Sequence, residues 1–150
     1  MKISEIIKTS LIATDLKSTD KTGLFDEMVQ ILLDQGLLHD GAAALQSLHE
    51  REAKMTTGIA NGLALPHGKI REAKGLLMAL GISRNGIEYE SLDGEPVHVI
   101  IMVLAEIGNP GPHIESLAEI SRLFAIPGFM NRIREAQSAK EILELIRREE

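Results

Sequence analysis

A single α/β domain is what this sequence predicts, with a mixed sheet of about five strands and helices on both faces, in three layers. Three observations carry the expectation. Segments of helical period alternate along the chain with short apolar, β-rich runs. No internal repeat and no long linker interrupts the alternation. The 150 residues, 44% hydrophobic and 25% charged, have ordinary globular composition and are enough to close one core, so residues 1–150 read as one domain.

The elements follow in order. Residues 3–8 open as a short turn or helix, and Leu11-Ile12-Ala13 is a short strand. Ser18 or Thr19 caps the next helix, with Asp20 in its first turn. Leu24, Phe25, Met28, Val29, Ile31 and Leu32 recur at helical spacing, and Gly36 ends the run. Asp40 caps a second helix, from about Gly41 to Lys54. Gly58 and Gly62 frame a loop before a strand at Leu63–Leu65. Gly75 to Ile82 reads as a strand buried on both faces. Asn85-Gly86 is a turn signal with a short strand, Ile87–Tyr89, behind it, and Asp93-Gly94 is a second turn. Val97 to Leu104 is the most β-rich run and the expected central strand. The glycines and prolines of 108–112 predict a loop. A helix then starts at about His113, with Ile114, Leu117, Ala118, Ser121 and Phe124 on one face. Pro127 opens another helix, to about Ala136, and Ser138 with Glu141 forms a capping box for the last.

Charge and composition exclude several function classes. The net charge of −6 argues against nucleic acid, whose binding footprint is a basic patch, and suits a partner with a basic or apolar docking face. Cysteine is absent, which removes disulfides, thiolate catalysis and cysteine metal sites. The opening MKISEIIKTS places acidic and polar residues too early for a signal peptide, and the longest apolar run, Val99 to Ala105, is far short of a membrane span. A cytoplasmic protein that is not itself membrane-embedded is expected.

The segment Arg51 to Lys69, REAKMTTGIANGLALPHGK, is the most informative. A polar, glycine-bearing loop runs into the apolar Leu63-Ala64-Leu65 and ends in Pro66-His67-Gly68. Pro66 fixes its φ and removes a donor, and Gly68 lets another group approach closely. One imidazole is thereby presented at the rim of a sheet. Histidine is largely a neutral nucleophile near pH 7 yet takes up a proton readily. Beside flexible backbone N–H groups it points to chemistry on an anion, with phosphate the first candidate.

The pattern R-E-x-x-x-T-T-G-I-x-N-G-x-A-x-P-H-G-K resembles the signature of the IIA phosphocarrier proteins of the bacterial phosphotransferase system, in the fructose, mannitol and nitrogen-regulatory branch. The resemblance implies that His67 is the phosphorylated nucleophile. It implies attack through Nε2, with Nδ1–H bonded to a backbone carbonyl. It also places a second active-site histidine, here His113, at the start of a helix after the Pro-Gly-Pro loop, where it would stabilise the phosphoryl group. Arg51 holds the family's arginine position and is expected to contact phosphate or the partner through its planar donor fork. Thr56, Thr57, Gly58, Asn61 and Gly62 are expected to line the phosphoryl pocket, while Glu52 is read as solvated surface and Lys69 as solvent-facing. Met55, Ile59 and Leu63 are the nearest apolar candidates for a docking rim. His39, His49 and His98 are read as structural or solvated; their spacing supports no metal site, and no cofactor is expected.

The function this implies is a phosphoryl carrier. His67 would accept a phosphoryl group from an HPr-type phosphohistidine protein and pass it to a cysteine on a IIB component in sugar uptake. The alternative is a nitrogen-regulatory IIA protein whose His67 phosphorylation decides which regulatory protein it binds. The Gly58-Ile-Ala-Asn-Gly62 pattern, and a sequence without fused IIB, IIC or HPr segments, lean toward the second.

Overall fold

The computed structural model describes all of residues 1–150. Two single-turn 3₁₀ segments, Ile3–Glu5 and Thr9–Leu11, lead into strand β1 (Ile12–Ala13). Helices α1 (Lys21–Asp34) and α2 (Gly41–Lys54) precede the short strands β2 (Leu63–Ala64) and β3 (His67–Ile70). Two long strands follow, β4 (Leu76–Ile87) and β5 (Val97–Glu106). Helices α3 (Pro110–Phe124), α4 (Phe129–Glu135) and α5 (Ala139–Glu149) complete the chain. The sheet is mixed and five-stranded: β1 runs parallel to β4, β4 is antiparallel to β5, and β2 and β3 both pair in parallel with β5. β2 and β3 therefore form one broken edge strand, interrupted at Leu65-Pro66. The expected α/β sheet with helices on both faces is what forms.

β5 is central because its residues can be buried on both faces: all from Val97 to Ala105 are. α1 packs on β4 and α2, with Leu24, Phe25, Met28 and Leu32 fully enclosed. α2 lies on β3, while α3 and α4 lie on β5.

Several elements depart from the sequence expectation. Asp20 is the N-cap of α1, its carboxylate accepting from Gly23 N–H at 2.8 Å, in place of Ser18 or Thr19. Asn85-Gly86 does not turn the chain. β4 runs through it to Ile87 as one strand, with a register shift against β5 between Ile82 and Ile87. Gly86, at φ +87°, supplies the left-handed residue such an irregularity uses. α3 begins at Pro110, three residues before His113. First-turn N–H groups have no intrahelical acceptor, so Pro110 and Pro112 remove nothing the helix needs. Its inward face is His113, Ser116, Ile120 and Leu123; Ile114 is 65% exposed. α4 starts at Phe129, with left-handed Gly128 at its cap, not at Pro127. Ser138 caps α5 by accepting from Glu141 N–H, but the Glu141 carboxylate reaches Gln137 N–H in place of Ser138 N–H, so the capping box is only half formed.

Candidate active site around His67

His67 is the first residue of β3, on the sheet edge. An edge strand is paired on one side only, which leaves outward backbone groups free. The outward N–H of Leu65 donates to the Thr57 carbonyl at 3.0 Å. The Leu65 carbonyl takes no backbone donor and accepts from His67 Nδ1 at 2.8 Å. A carbonyl can only accept, so Nδ1 carries the proton and Nε2 carries the lone pair. Pro66 contributes its carbonyl to Val103 N–H, which pins the chain immediately before the imidazole.

Gly68 shows why this histidine is followed by glycine. A β-carbon there would stand 2.3 Å from Ser47 Oγ and 3.1 Å from the Ser47 backbone carbon. Its absence lets α2 settle onto β3, and Ser47 Oγ then accepts from Lys69 N–H at 2.7 Å. That seating brings Ser47, Arg51 and Lys54, one helix face, to the side of His67.

On the other side stands His113, buried in the first turn of α3. The two imidazole centroids are 5.2 Å apart, with the planes at 70°. His113 Nε2 is buried without a hydrogen-bond partner, an open valence beside His67. His67, His113, Arg51, Ser47, Lys54 and Lys69 line a cavity of about 550 Å³. Burial pushes the His67 pKa below its ordinary value; the Leu65 bond opposes this, and the charge of Arg51 adds to it. Burial, and then the neighbouring His67, lowers His113 likewise. Both rings are therefore neutral at pH 7. A neutral Nε2 lone pair facing guanidinium and ammonium groups suits attack on a dianionic phosphoryl centre.

The remaining loop residues lie elsewhere. Thr57 is buried and bonded to Glu52, Thr56 Oγ1 caps Gly58 N–H, and Asn61 N–H meets Asp93. The Gly62 carbonyl accepts from His98 and Val99 N–H. None of Thr56, Thr57, Gly58, Asn61 and Gly62 lines the cavity that holds His67. No group of three histidine, cysteine or acidic side chains stands together as a metal site, and no helix is long and apolar enough to cross a membrane.

Residues 5–149 match the family model of the phosphoenolpyruvate-dependent sugar phosphotransferase system, EIIA 2. The chain belongs to this family. Among EIIA 2 relatives, the fructose-specific EIIABC component of Bacillus subtilis (strain 168) is 35% identical over 146 residues. That match takes in 97% of this chain but only 23% of the larger protein. The crystal structure of the nitrogen regulatory protein IIA-Ntr from Neisseria meningitidis superposes with a TM-score of 0.88 at 28% identity, over 96% of this chain and 98% of that one. IIA mannitol of Escherichia coli, solved in complex with phosphorylated IIB mannitol, shares the fold at TM-score 0.78 and 17% identity, over 94% of this chain and 96% of that one.

Three features of this EIIA 2 site were not read from the sequence. Glu52 is not solvated surface: its side chain is 6% exposed and bonded on every side. Its burial depends on Tyr89 and Lys21, which no local pattern connects to it. Ser47 joins the cavity only because Gly68 lies beneath it. Ile114, grouped from the sequence with the apolar face of α3, is exposed and lines the cavity, whereas Met55 and Ile59 are exposed outside it and Leu63 is buried.

Proposed function

We propose that this protein carries a phosphoryl group on Nε2 of His67, taken from an HPr-type phosphohistidine protein and passed to a IIB component in sugar uptake. The observation that carries the proposal is the Nδ1–H bond to the Leu65 carbonyl, which leaves Nε2 as the free nucleophile on an edge strand. In the accepting step the Nε2 lone pair forms the new N–P bond as the donor's N–P bond breaks. The electron pair returns to the donor imidazole, and water takes no part. Arg51 and Lys69 offset the charge on the phosphoryl oxygens, and His113, neutral and in the tautomer that carries its proton on Nε2, donates to one of them. Passing the group on repeats the displacement, with a IIB cysteine thiolate as nucleophile. The fructose-specific naming of the B. subtilis relative supports this acceptor.

The second reading, a regulatory protein whose partner choice follows the state of His67, is supported by the likeness to IIA-Ntr. Both share the phosphorylation step. Incubation with phosphoenolpyruvate, the system's first enzyme and HPr should add one acid-labile phosphate, and His67→Ala should abolish it. Full labelling of His67→Ala would overturn the assignment. Chase of the label onto a IIB cysteine supports transport; retention of the label with altered protein binding supports regulation.

A further inference from the structure

Resting on the phosphoryl-carrier reading, we infer that Glu52 is a positioning residue that aims Arg51 into the His67 cavity through the Thr57–Met55 loop. Glu52 follows Arg51 in the last turn of α2, yet the two side chains do different things. The Glu52 carboxylate is nearly buried and collects donors from three separate parts of the chain. Thr57 gives its N–H at 2.7 Å and its hydroxyl at 2.5 Å, Tyr89 its hydroxyl at 3.1 Å, and Lys21 its ammonium at 3.2 Å. Lys21 itself sits 4.5 Å over the Tyr89 ring, which closes the set. Burial pushes the carboxyl upward, but the Thr57 bonds and the Lys21 charge outweigh it and keep the group ionised.

A linear chain of bonds connects this cluster to the cavity. Glu52 fixes Thr57, two residues beyond Met55, where α2 ends and the backbone turns extended. The Met55 carbonyl accepts from Arg51 Nη1 at 2.8 Å. One edge of the guanidinium is thereby tied back, and Arg51 is held at the wall shared with His67. If Thr57 is released, the Met55 carbonyl loses its fixed direction and Arg51 regains the freedom of a helix-end side chain.

The experiment is a double-mutant cycle on single-turnover phosphorylation by HPr, with Glu52→Gln, Arg51→Ala and the pair. Glutamine keeps the shape but removes the charge and turns an N–H₂ toward the donors. Glu52→Gln alone should slow transfer by roughly 10-fold, approaching the ~10²-fold expected when a group is misplaced by 1 Å. In the Arg51→Ala background it should add less than about twofold, within ordinary additivity error. Equal slowing in both backgrounds would overturn the inference, because a general loosening of the fold acts without Arg51. So would an unchanged rate for Glu52→Gln. Where Glu52→Gln does not fold, Thr57→Val, which removes the hydroxyl's bonds to Glu52 and Tyr89 and keeps the backbone N–H bond to Glu52, takes its place in the same cycle with the same outcomes. A parent protein that takes no label on His67 would instead sink the carrier reading, an outcome separate from these.

Discussion

Replacing Gly68 by alanine tests whether the seat of α2 on β3 sets the geometry around His67. The new β-carbon would lie 2.3 Å from Ser47 Oγ, 2.9 Å from its Cβ and 3.1 Å from its backbone carbon. Unstrained carbon contacts lie near ~3.5 Å or beyond. A rotated hydroxymethyl group clears the first contact but not the other two, so α2 must lift by roughly half an ångström. Overpacking of this kind costs about 1–3 kcal/mol. Gly68 does not occupy a positive φ, so alanine also gains ~0.4–1 kcal/mol by narrowing the unfolded ensemble. The overpacking wins, with a net loss of about 1–2 kcal/mol. For a chain of this size the melting temperature should fall by about 2–8 °C. Because Arg51 rides on the same helix, transfer to His67 should slow by roughly 10-fold as well. Thermal unfolding followed by circular dichroism, and a rapid-quench time course with labelled HPr, read the two effects. Adding Ser47→Ala should not restore the parent, since the Cβ and backbone contacts remain. A Gly68→Ala protein as stable and as fast as the parent would refute the close-packing account of this glycine.

His113→Ala should still take label at His67, but slower by about 10²-fold, the usual consequence of losing one donor to a developing charge; equal rates would remove His113 from the step. The pH dependence has a definite sign. His67 and His113 are both held below the value of the unfolded chain, near ~6.5. Below that pH the unfolded chain binds more protons, so stability should fall on acidification until the folded values are passed, and be fully present above. Phosphoryl acceptance should likewise persist through pH 6.5 and fail only at lower pH; a midpoint above 6.5 in either measurement would contradict the burial that lowers both rings. Titration of labelled protein with HPr should move NMR signals in residues 51–69 and 108–117, with exposed Ile114 among them; shifts confined to the far side of the sheet would place docking elsewhere.

Local rules carried the sequence a long way here and failed for identifiable reasons. Strand β5 and the face of α1 were legible because burial on both faces, or on one stripe, writes itself into a contiguous pattern. Asn85-Gly86 misled because a left-handed glycine serves a hairpin and a strand irregularity equally well, and only the pairing partner decides between them. The prolines at 110 and 112 misled because a helix start tolerates what a helix interior excludes. The face of α3 was misplaced for a separate reason: the apolar spacing counted Ile114 in, while polar His113 and Ser116 take inward positions. The placing of His67 at the rim of the sheet was legible from its own neighbours, since the rigid Leu65-Pro66 entry and the following glycine are adjacent in sequence. Glu52 was not: its partners Lys21 and Tyr89 are 31 and 37 residues away, and a glutamate in the last turn of a helix is ordinarily in water.

The edge position of His67 reconciles demands that oppose each other in a carrier. For the proposed transfer the imidazole has to be held rigidly, yet two different proteins must reach it in turn. A histidine inside the sheet would be rigid but unreachable, and one on a loop reachable but poorly aimed. At the edge, pairing to β5 supplies the rigidity, and the unpaired side supplies both the Leu65 carbonyl and the access. Charge divides in the same way. The chain as a whole is negative by 6, while the cavity wall gathers Arg51, Lys54 and Lys69 against the one carboxylate of Glu50. In the proposed function the local cations would hold the phosphoryl group once it has arrived, and the global field would act earlier, on the encounter with a partner. Raising the salt from ~0.05 to ~0.5 M shortens the screening length from roughly 14 to 4 Å. It should slow association with a basic donor surface while leaving the lifetime of the phosphorylated protein nearly unchanged. Stopped-flow association and phosphate-release measurements across that salt range separate the two. A lifetime that fell in step with association would mean that the cavity cations act through solvent, as the distant charges do, and that the enclosure of His67 by α2 and α3 contributes nothing.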